Sequence, residues 1–199
     1  MRNLVVLIDN GHGKNTKGKC SPDKRILEWE YCRELACRLY EKLLLEGIQA
    51  ILLVPEEKDV SLSERVRREK KITKEAKKAG KETCFISLHL NAAGGDGKWK
   101  TARGWTGWIA QEASDDSKKL AQLLYAEAEA RNLQGNRCVP KTKYWTANYT
   151  VCTNTSCPAV LTENLFQDNL EDVEYLLTED GKNTLVDLHV AAIKKYINS

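Results

Sequence analysis

Short aliphatic runs alternate with amphipathic stretches along the chain, and this alternation predicts an α/β protein. The first run, Leu4–Ile8, is continuous and rich in β-branched residues, which favours a strand buried on both faces. Apolar residues then recur at helical spacing from about Ile26 to Glu46, and Gly47 is placed to end that helix. A second aliphatic run, Ile48–Val54, stops at Pro55, so the order strand, helix, strand predicts a parallel crossover.

The same alternation continues to the carboxyl terminus. Further helices are predicted over Ser61–Lys78, Asp115–Asn132 and Thr184–Ile197, and further strands over Cys84–Ala92, Trp108–Ala110 and Pro158–Thr162. The stretches 93–107 and 133–156 have no regular period and are predicted to be loops. We therefore expect a single α/β domain, with a central, mostly parallel (mixed) sheet flanked by helices on both faces.

Composition and charge narrow the classes of function. The chain has 199 residues, 31 Lys and Arg, 28 Asp and Glu, and a net charge of +3, which is too weakly basic to predict a nucleic-acid partner. No apolar run approaches the roughly 20 residues of a membrane-spanning helix. The first strand begins too early for a signal peptide to precede it, so we expect synthesis in the cytoplasm. We also expect a monomer.

One segment is more basic than the rest. From Ser61 to Glu82 there are nine Lys and Arg against four Glu, a local balance of +5. A solvated helix face is the first interpretation of this pattern. Electrostatic attraction to an acidic polymer is the alternative.

Seven cysteines occur without any Cys-x-x-Cys pair, which argues against a zinc finger. Buried, reduced thiols are the expected state. A cysteine hydrolase that uses Cys152 or Cys157 with His89 is a third functional hypothesis, but no sequence feature places a nucleophile beside a base.

Polar residues of catalytic type stand at the ends of three predicted strands. His12 follows the first strand between two glycines, His89 lies near the end of another, and Glu163 follows a third. Ligands and reacting groups collect at the carboxyl ends of strands in open α/β sheets, and histidine there is a candidate metal ligand or proton carrier. His189, in the last predicted helix, is expected to be a packing residue.

A carboxylate at the start of the first helix is the fourth candidate. Glu28 shares a helix face with Cys32 and Leu35, so it points toward the core, where a lone carboxylate is costly unless it is paired or bound to metal. Glu30 shares its face with Glu34, which indicates solvent. The sequence favours Glu28 but leaves the choice between Glu28 and Glu30 open.

Taken together, these segments resemble the ordered motifs of the zinc-dependent N-acetylmuramoyl-L-alanine amidases. The matching segments are DNGHG at 9–13, Glu28, SLHLN at 87–91 and LTENLF at 161–166, with further likeness in the helix start SLSER at 61–65 and in the last helix. The resemblance covers roughly residues 4–197 and implies a zinc amidase catalytic domain over residues 1–199. It departs from the family pattern at Asn10, Trp29 and Asn164, where proline, a basic residue and a small or apolar residue are more usual.

The resemblance implies that His12, Glu28 and His89 are ligands of Zn²⁺ and that Glu163 is the catalytic acid/base. It also implies that the chain hydrolyses the amide between N-acetylmuramic acid and L-alanine in peptidoglycan, with the cell wall as its site of action. Two imidazoles and one carboxylate suit zinc and leave a fourth position for water, whose pKa falls from about 15.7 toward about 7. Glu163 could take the water's proton and return it to the leaving amine.

Several residues are expected near this site. Asp9 is a candidate either to orient a ligand histidine or simply to cap the turn, and Asn91 is a similar candidate. Trp99, Trp105 and Trp145 are candidates to contact substrate, with ordinary loop packing as the alternative. The sequence shows no cell-wall-binding repeat, which makes the chain more similar to a phage or prophage lysin. A catalytically inactive peptidoglycan-binding protein of the same fold is the alternative function.

Overall fold

Strands and helices alternate in the computed structural model, which describes residues 2–199. The strands are β1 (Leu4–Asn10), β2 (Gln49–Leu52), β3 (Glu82–Asn91), β4 (Thr106–Ile109), β5 (Trp145–Thr146) and β6 (Ala159–Phe166). The helices are α1 (Glu28–Leu45), α2 (Leu62–Lys78), α3 (Asp115–Ala130), α4 (Thr150–Thr153), α5 (Leu170–Leu176) and α6 (Glu179–Ile197).

The six strands form one sheet in the order β2-β1-β3-β6-β4-β5. The first four strands in this order are parallel to one another, and β4 runs antiparallel to β6. Helices cover both faces, since α1, α3 and α6 share one apolar core with the sheet and α4 packs in the other. The predicted α/β fold with a mostly parallel, mixed sheet is confirmed.

The strand order places the candidate residues together. β1 pairs with β2 on one side and with β3 on the other, so the chain reverses its direction of winding at β1. A crevice forms outside the carboxyl ends of the strands at such a reversal. His12 follows β1 at this crevice, and His89 of β3 pairs in register with Glu163 of β6.

Several details of the predicted elements are wrong, among them the starts of β4 and α6, which lie at Thr106 and Glu179 instead of Trp108 and Thr184. β6 continues to Phe166 instead of ending at Thr162, so Glu163 lies within a strand. The loop predicted over 133–156 contains β5 and α4, and α5 was not predicted. β5 has two residues, α4 has four and α5 has seven, so none of them is long enough to show a clear period, which is why the sequence did not reveal them.

No helix within residues 2–199 is long and apolar enough to cross a lipid bilayer. None of the seven cysteines, all of which lie in this described range, forms a disulfide. The expectation of burial is wrong for Cys37 and Cys138, which are exposed.

A chain of buried polar groups lies beneath β6. The indole Nε1 of Trp105 donates to Asn164 Oδ1 at 2.9 Å, and Asn164 Nδ2 donates to the hydroxyl of Thr162 at 3.1 Å. His189 Nδ1 donates to the Leu185 carbonyl at 2.7 Å, which leaves Nε2 to accept from Thr162 at 3.2 Å. His189 is therefore a buried packing residue, as expected, and Asn164 is polar because it joins Trp105 to this network.

Burial lowers the pKa of His189 to about 4, so this imidazole is neutral in the folded protein at neutral pH. Because the unfolded chain binds the proton near pH 6.5, the wild type should lose about 3 kcal/mol relative to His189→Gln as the pH falls from 6.5 to 4. Urea unfolding of both proteins across this range measures the difference. A difference that stays constant with pH would contradict the assignment.

Candidate active site

The turn after β1 brings the two histidines into contact. His12 adopts a left-handed backbone conformation, with φ of 61°, which is uncommon outside glycine. Gly11 packs directly against the ring of His89, and a Cβ atom at this position would overlap that ring. The turn therefore requires glycine at 11, and the absence of a side chain there lets the rings of His12 and His89 approach edge to face at 5.1 Å.

Glu28 lies between these imidazoles. Its Oε1 is 3.3 Å from His12 Nε2 and 3.1 Å from His89 Nδ1. Two ligands of a tetrahedral metal at about 2.1 Å are separated by about 3.4 Å, so both distances fit edges of such a coordination sphere. Among residues 2–199 this is the one cluster of His, Cys, Asp or Glu that could hold a metal ion, and its candidate ligand atoms lie within 4.8 Å of one another.

The Glu28 carboxylate is held on all sides. It is 1% exposed, its Oε1 accepts from the Leu90 amide at 3.2 Å, and its Oε2 accepts from Gln167 Nε2 at 3.0 Å. Gln167 thereby leaves Oε1 as the oxygen that faces the histidines. Glu30 is exposed, so the structure places Glu28, and not Glu30, in the cluster.

Charge compensation keeps Glu28 ionised. Burial alone would raise the pKa of this carboxyl, but the hydrogen bonds from His12 and His89 outweigh it and hold the pKa far below the usual range. Burial likewise opposes the charged form of His89, and the Glu28 carboxylate raises the pKa of that imidazole. An ionised carboxylate that faces two imidazoles is a site that a metal cation can bind, because neutral histidine and ionised carboxylate are the forms that ligate.

The environment of Glu163 raises the pKa of its carboxyl group, the opposite of the effect at Glu28. Glu163 lines a cavity of about 400 Å³ together with the three residues of the cluster, and its Oε2 is buried without a hydrogen-bond partner. Burial raises the pKa of Glu163 to about 7, so this group exchanges a proton near neutral pH. Two carboxyl groups in one cavity, one held ionised and one easily protonated, suit two different chemical roles.

A second buried ion pair, between Asp9 and Arg65, supports the turn after β1. Asp9 Oδ1 accepts from Arg65 Nη1 at 2.5 Å, and Asp9 Oδ2 accepts from the hydroxyl of Ser87 at 2.6 Å. The same Arg65 donates to the carbonyls of Asn10, at 2.6 Å, and His12, at 3.4 Å. Asp9 therefore contacts no histidine side chain, and of its two expected roles the geometry favours the one in the turn, on whose backbone Asp9 acts through Arg65.

The remaining candidates lie at different distances from the cluster. Asn91 lines the cavity, and its Oδ1 accepts from the Ala92 amide at 2.9 Å instead of contacting a histidine. Trp105 is fully buried, so it cannot stack on a sugar. Trp99 lines a separate surface depression, and Trp145 packs between Trp108 and Tyr125.

Sequence reasoning missed three residues that the structure places at or around the site. They are Arg65, Gln167 and Lys19, whose side chain lines the cavity. Arg65 stood in a recognised helix start but was given no role. The position of Asp9 at the end of a buried strand could have indicated that a cation such as Arg65 lies beside it. No local sequence pattern indicates Gln167 or Lys19.

The cysteine hydrolase hypothesis has no support in the geometry. Burial raises the pKa of Cys152 to about 12, so its thiol stays protonated, and its Sγ contacts the Trp108 carbonyl at 3.8 Å. Burial also raises the pKa of Cys157. The His89 Nδ1 atom is engaged with Glu28.

Comparison with known proteins points to one family. The sequence profile described as N-acetylmuramoyl-L-alanine amidase matches residues 6–195. The chain is 25% identical over 196 residues to an endolysin of Bacillus phage SPP1, covering 98% of this chain and 66% of the endolysin. It is 26% identical over 201 residues to the N-acetylmuramoyl-L-alanine amidase CwlM of Bacillus licheniformis, covering 98% and 69%. The chain thus spans about two thirds of the length of these curated relatives.

The fold is similar to that of a solved structure over its full length. The crystal structure of N-acetylmuramoyl-L-alanine amidase from Clostridium difficile 630 superposes with a TM-score of 0.82 at 24% identity. The similarity covers 100% of this chain and 99% of that chain.

Removal of Arg65 should destabilise the protein through Asp9. Arg65→Met leaves a buried carboxylate without its cation, which typically costs about 3–5 kcal/mol, and urea unfolding at pH 7 measures the loss. The matched control is Arg67→Met, because Arg67 is exposed and pairs only with Glu64, so its replacement should cost less than about 1 kcal/mol. Equal losses in the two variants would show that the buried pair has no such role.

Proposed function

Because the chain belongs to the N-acetylmuramoyl-L-alanine amidase family, we propose that it hydrolyses the amide between N-acetylmuramic acid and L-alanine in peptidoglycan with the aid of zinc. The observation that carries this proposal is the convergence of His12, Glu28 and His89 on one cavity that also contains Glu163. Three nitrogen and oxygen ligands with a remaining open position are typical of catalytic zinc.

In this proposal His12, Glu28 and His89 hold the zinc ion. When bound, zinc supplies Lewis acidity that polarises the scissile carbonyl and makes an attacking water more acidic. Gln167 and the Leu90 amide fix the Glu28 carboxylate, so that it does not have to reorganise when the metal binds.

Glu163 is the proton carrier of the reaction. Its carboxylate accepts a proton from the attacking water, and its carboxylic acid returns that proton to the alanine nitrogen as the amide carbon–nitrogen bond breaks. A pKa of about 7 suits both directions of transfer at neutral pH. The cavity walls limit the access of bulk water to this group.

An inactive peptidoglycan-binding protein is the competing function. Binding alone gives no reason to keep an acid with a buried, unpartnered oxygen, since such a group lowers the stability of the fold. All four residues come from one chain, so the proposed active site is complete without a second copy. The proposed enzyme acts on peptidoglycan at the cell wall.

Glu163→Gln should retain zinc and lose turnover by about 10²–10⁴-fold, because the amide cannot carry the proton. Incubation with purified peptidoglycan, followed by mass analysis of the released fragments with and without a chelator, measures the activity. Metal content of the same preparation serves as the control for an intact site. Undiminished release of free stem peptide by the variant would remove Glu163 from the reaction.

Glu28→Gln should weaken zinc binding, whereas Glu30→Gln should bind zinc as the wild type does. The two positions lie on one helix turn, and only Glu28 faces the histidines. Competition with a fluorescent chelator gives both affinities. Comparable losses, or a larger loss for Glu30→Gln, would overturn the proposed ligand set.

A further inference from the structure

The outward side of α2 carries six cations and no carboxylate. At 3.6 residues per turn they lie within an arc of roughly 120°, and from Arg67 onward no other residue type occupies that arc. We name this surface the α2 cationic face, and its members are Arg67, Lys70, Lys71, Lys74, Lys77 and Lys78. All six are exposed.

The five lysines of this face have no partner within residues 2–199. Arg67 pairs with Glu64, and the neighbouring Arg68, outside the arc, pairs with Glu56 and Glu64. The lysines of α6 behave differently, since Lys182, Lys194 and Lys195 each contact a glutamate. The ammonium groups of the α2 cationic face are therefore available to an external anion.

Positive charge exceeds negative charge in the segment that contains this face. Residues 61–82 carry nine Lys and Arg against four Glu, a balance of +5, while the whole chain carries +3. The remainder of the chain thus has a balance of −2. A field of one sign over one helix attracts polyanions, whereas scattered charges only aid solubility.

This arrangement weakens the helix that carries it. Like charges three and four residues apart repel, and the face contains such pairs along its whole length, for example Arg67 with Lys71 and Lys70 with Lys74. Lys77 and Lys78 gain from the negative end of the helix dipole, but the cations nearer the middle of the helix do not. A bound anion would remove this repulsion.

The helix leads away from the catalytic cavity. Leu62 and Arg65, in the first turn of α2, line the cavity that contains Glu163. The 17 residues of α2 extend about 25 Å from that point. A long polymer with one unit in the cavity can therefore continue along α2.

We propose that the α2 cationic face binds carboxylates of the peptide stems of peptidoglycan and so retains the protein on its polymeric substrate. The proposal rests on the proposed function, because that function places this polymer in the adjoining cavity. The glycan of peptidoglycan is made of N-acetylated sugars, so the peptide stems are where its negative charge is found. Electrostatic contact of this kind is weakened by salt.

A matched pair of triple variants tests the proposal. The test protein is K70Q/K74Q/K78Q, and the control is K17Q/K98Q/K141Q, which removes the same charge from three exposed lysines away from α2. Sedimentation with purified peptidoglycan freed of phosphodiester polymers measures binding over a series of NaCl concentrations. Hydrolysis of a soluble disaccharide-peptide measures catalysis without the polymer.

We expect the test protein to bind insoluble peptidoglycan about tenfold more weakly than the control at low salt, with the difference gone near 0.5 M NaCl. Its kcat/KM on the soluble substrate should stay within about twofold of the wild type, and its melting temperature should not fall. Equal binding by the two triple variants overturns the proposal. A loss of binding by the test protein that occurs only with peptidoglycan that retains phosphodiester polymers, or only with anionic lipid vesicles, also overturns the proposal.

Failure of the wild type to cleave the soluble substrate would refute the proposed function. The sedimentation of the two triple variants with insoluble peptidoglycan does not depend on cleavage, so it tests the role of the α2 cationic face separately.

Discussion

Burial of the Glu28 carboxylate between two imidazoles is the interaction on which the site depends. A carboxylate that is 1% exposed is stable only when cations or hydrogen-bond donors surround it, and here His12, His89, the Leu90 amide and Gln167 do so. These groups come from the turn after β1, the end of β3 and the segment after β6, and Glu28 itself stands at the start of α1. The carboxylate therefore ties together four parts of the chain that are distant in sequence.

A second buried ion pair, between Arg65 and Asp9, fixes the position of the turn after β1. Arg65 satisfies Asp9 and also holds the carbonyls of Asn10 and His12, so the left-handed backbone at His12 is maintained by α2. Strain of this kind persists where the surroundings over-determine it, and it concentrates at functional sites. α2 thus has two separate sides, an inner one that supports the turn carrying His12 and an outer one that carries unpaired lysines.

Hydrophobic periodicity predicted most of the sheet and the long helices, because those elements are long enough to show a period. It also predicted that Glu28 faces inward, because Glu28 shares a helix face with the apolar residues Cys32 and Leu35. The contacts of Gln167 and Trp105 could not be predicted in this way. Gln167 reaches Glu28 only because β6 runs past Glu163, and the burial of Trp105 depends on its hydrogen bond to Asn164 across the sheet.

The most direct test of the metal site is a crystal of the protein soaked in zinc, with anomalous diffraction recorded on both sides of the zinc absorption edge. We expect a peak about 2.0–2.2 Å from one ligand atom each of His12, Glu28 and His89, with Glu163 across the cavity and not coordinated. A peak bound by other residues, or no peak between these three side chains at saturating zinc, would show that they are not the ligands.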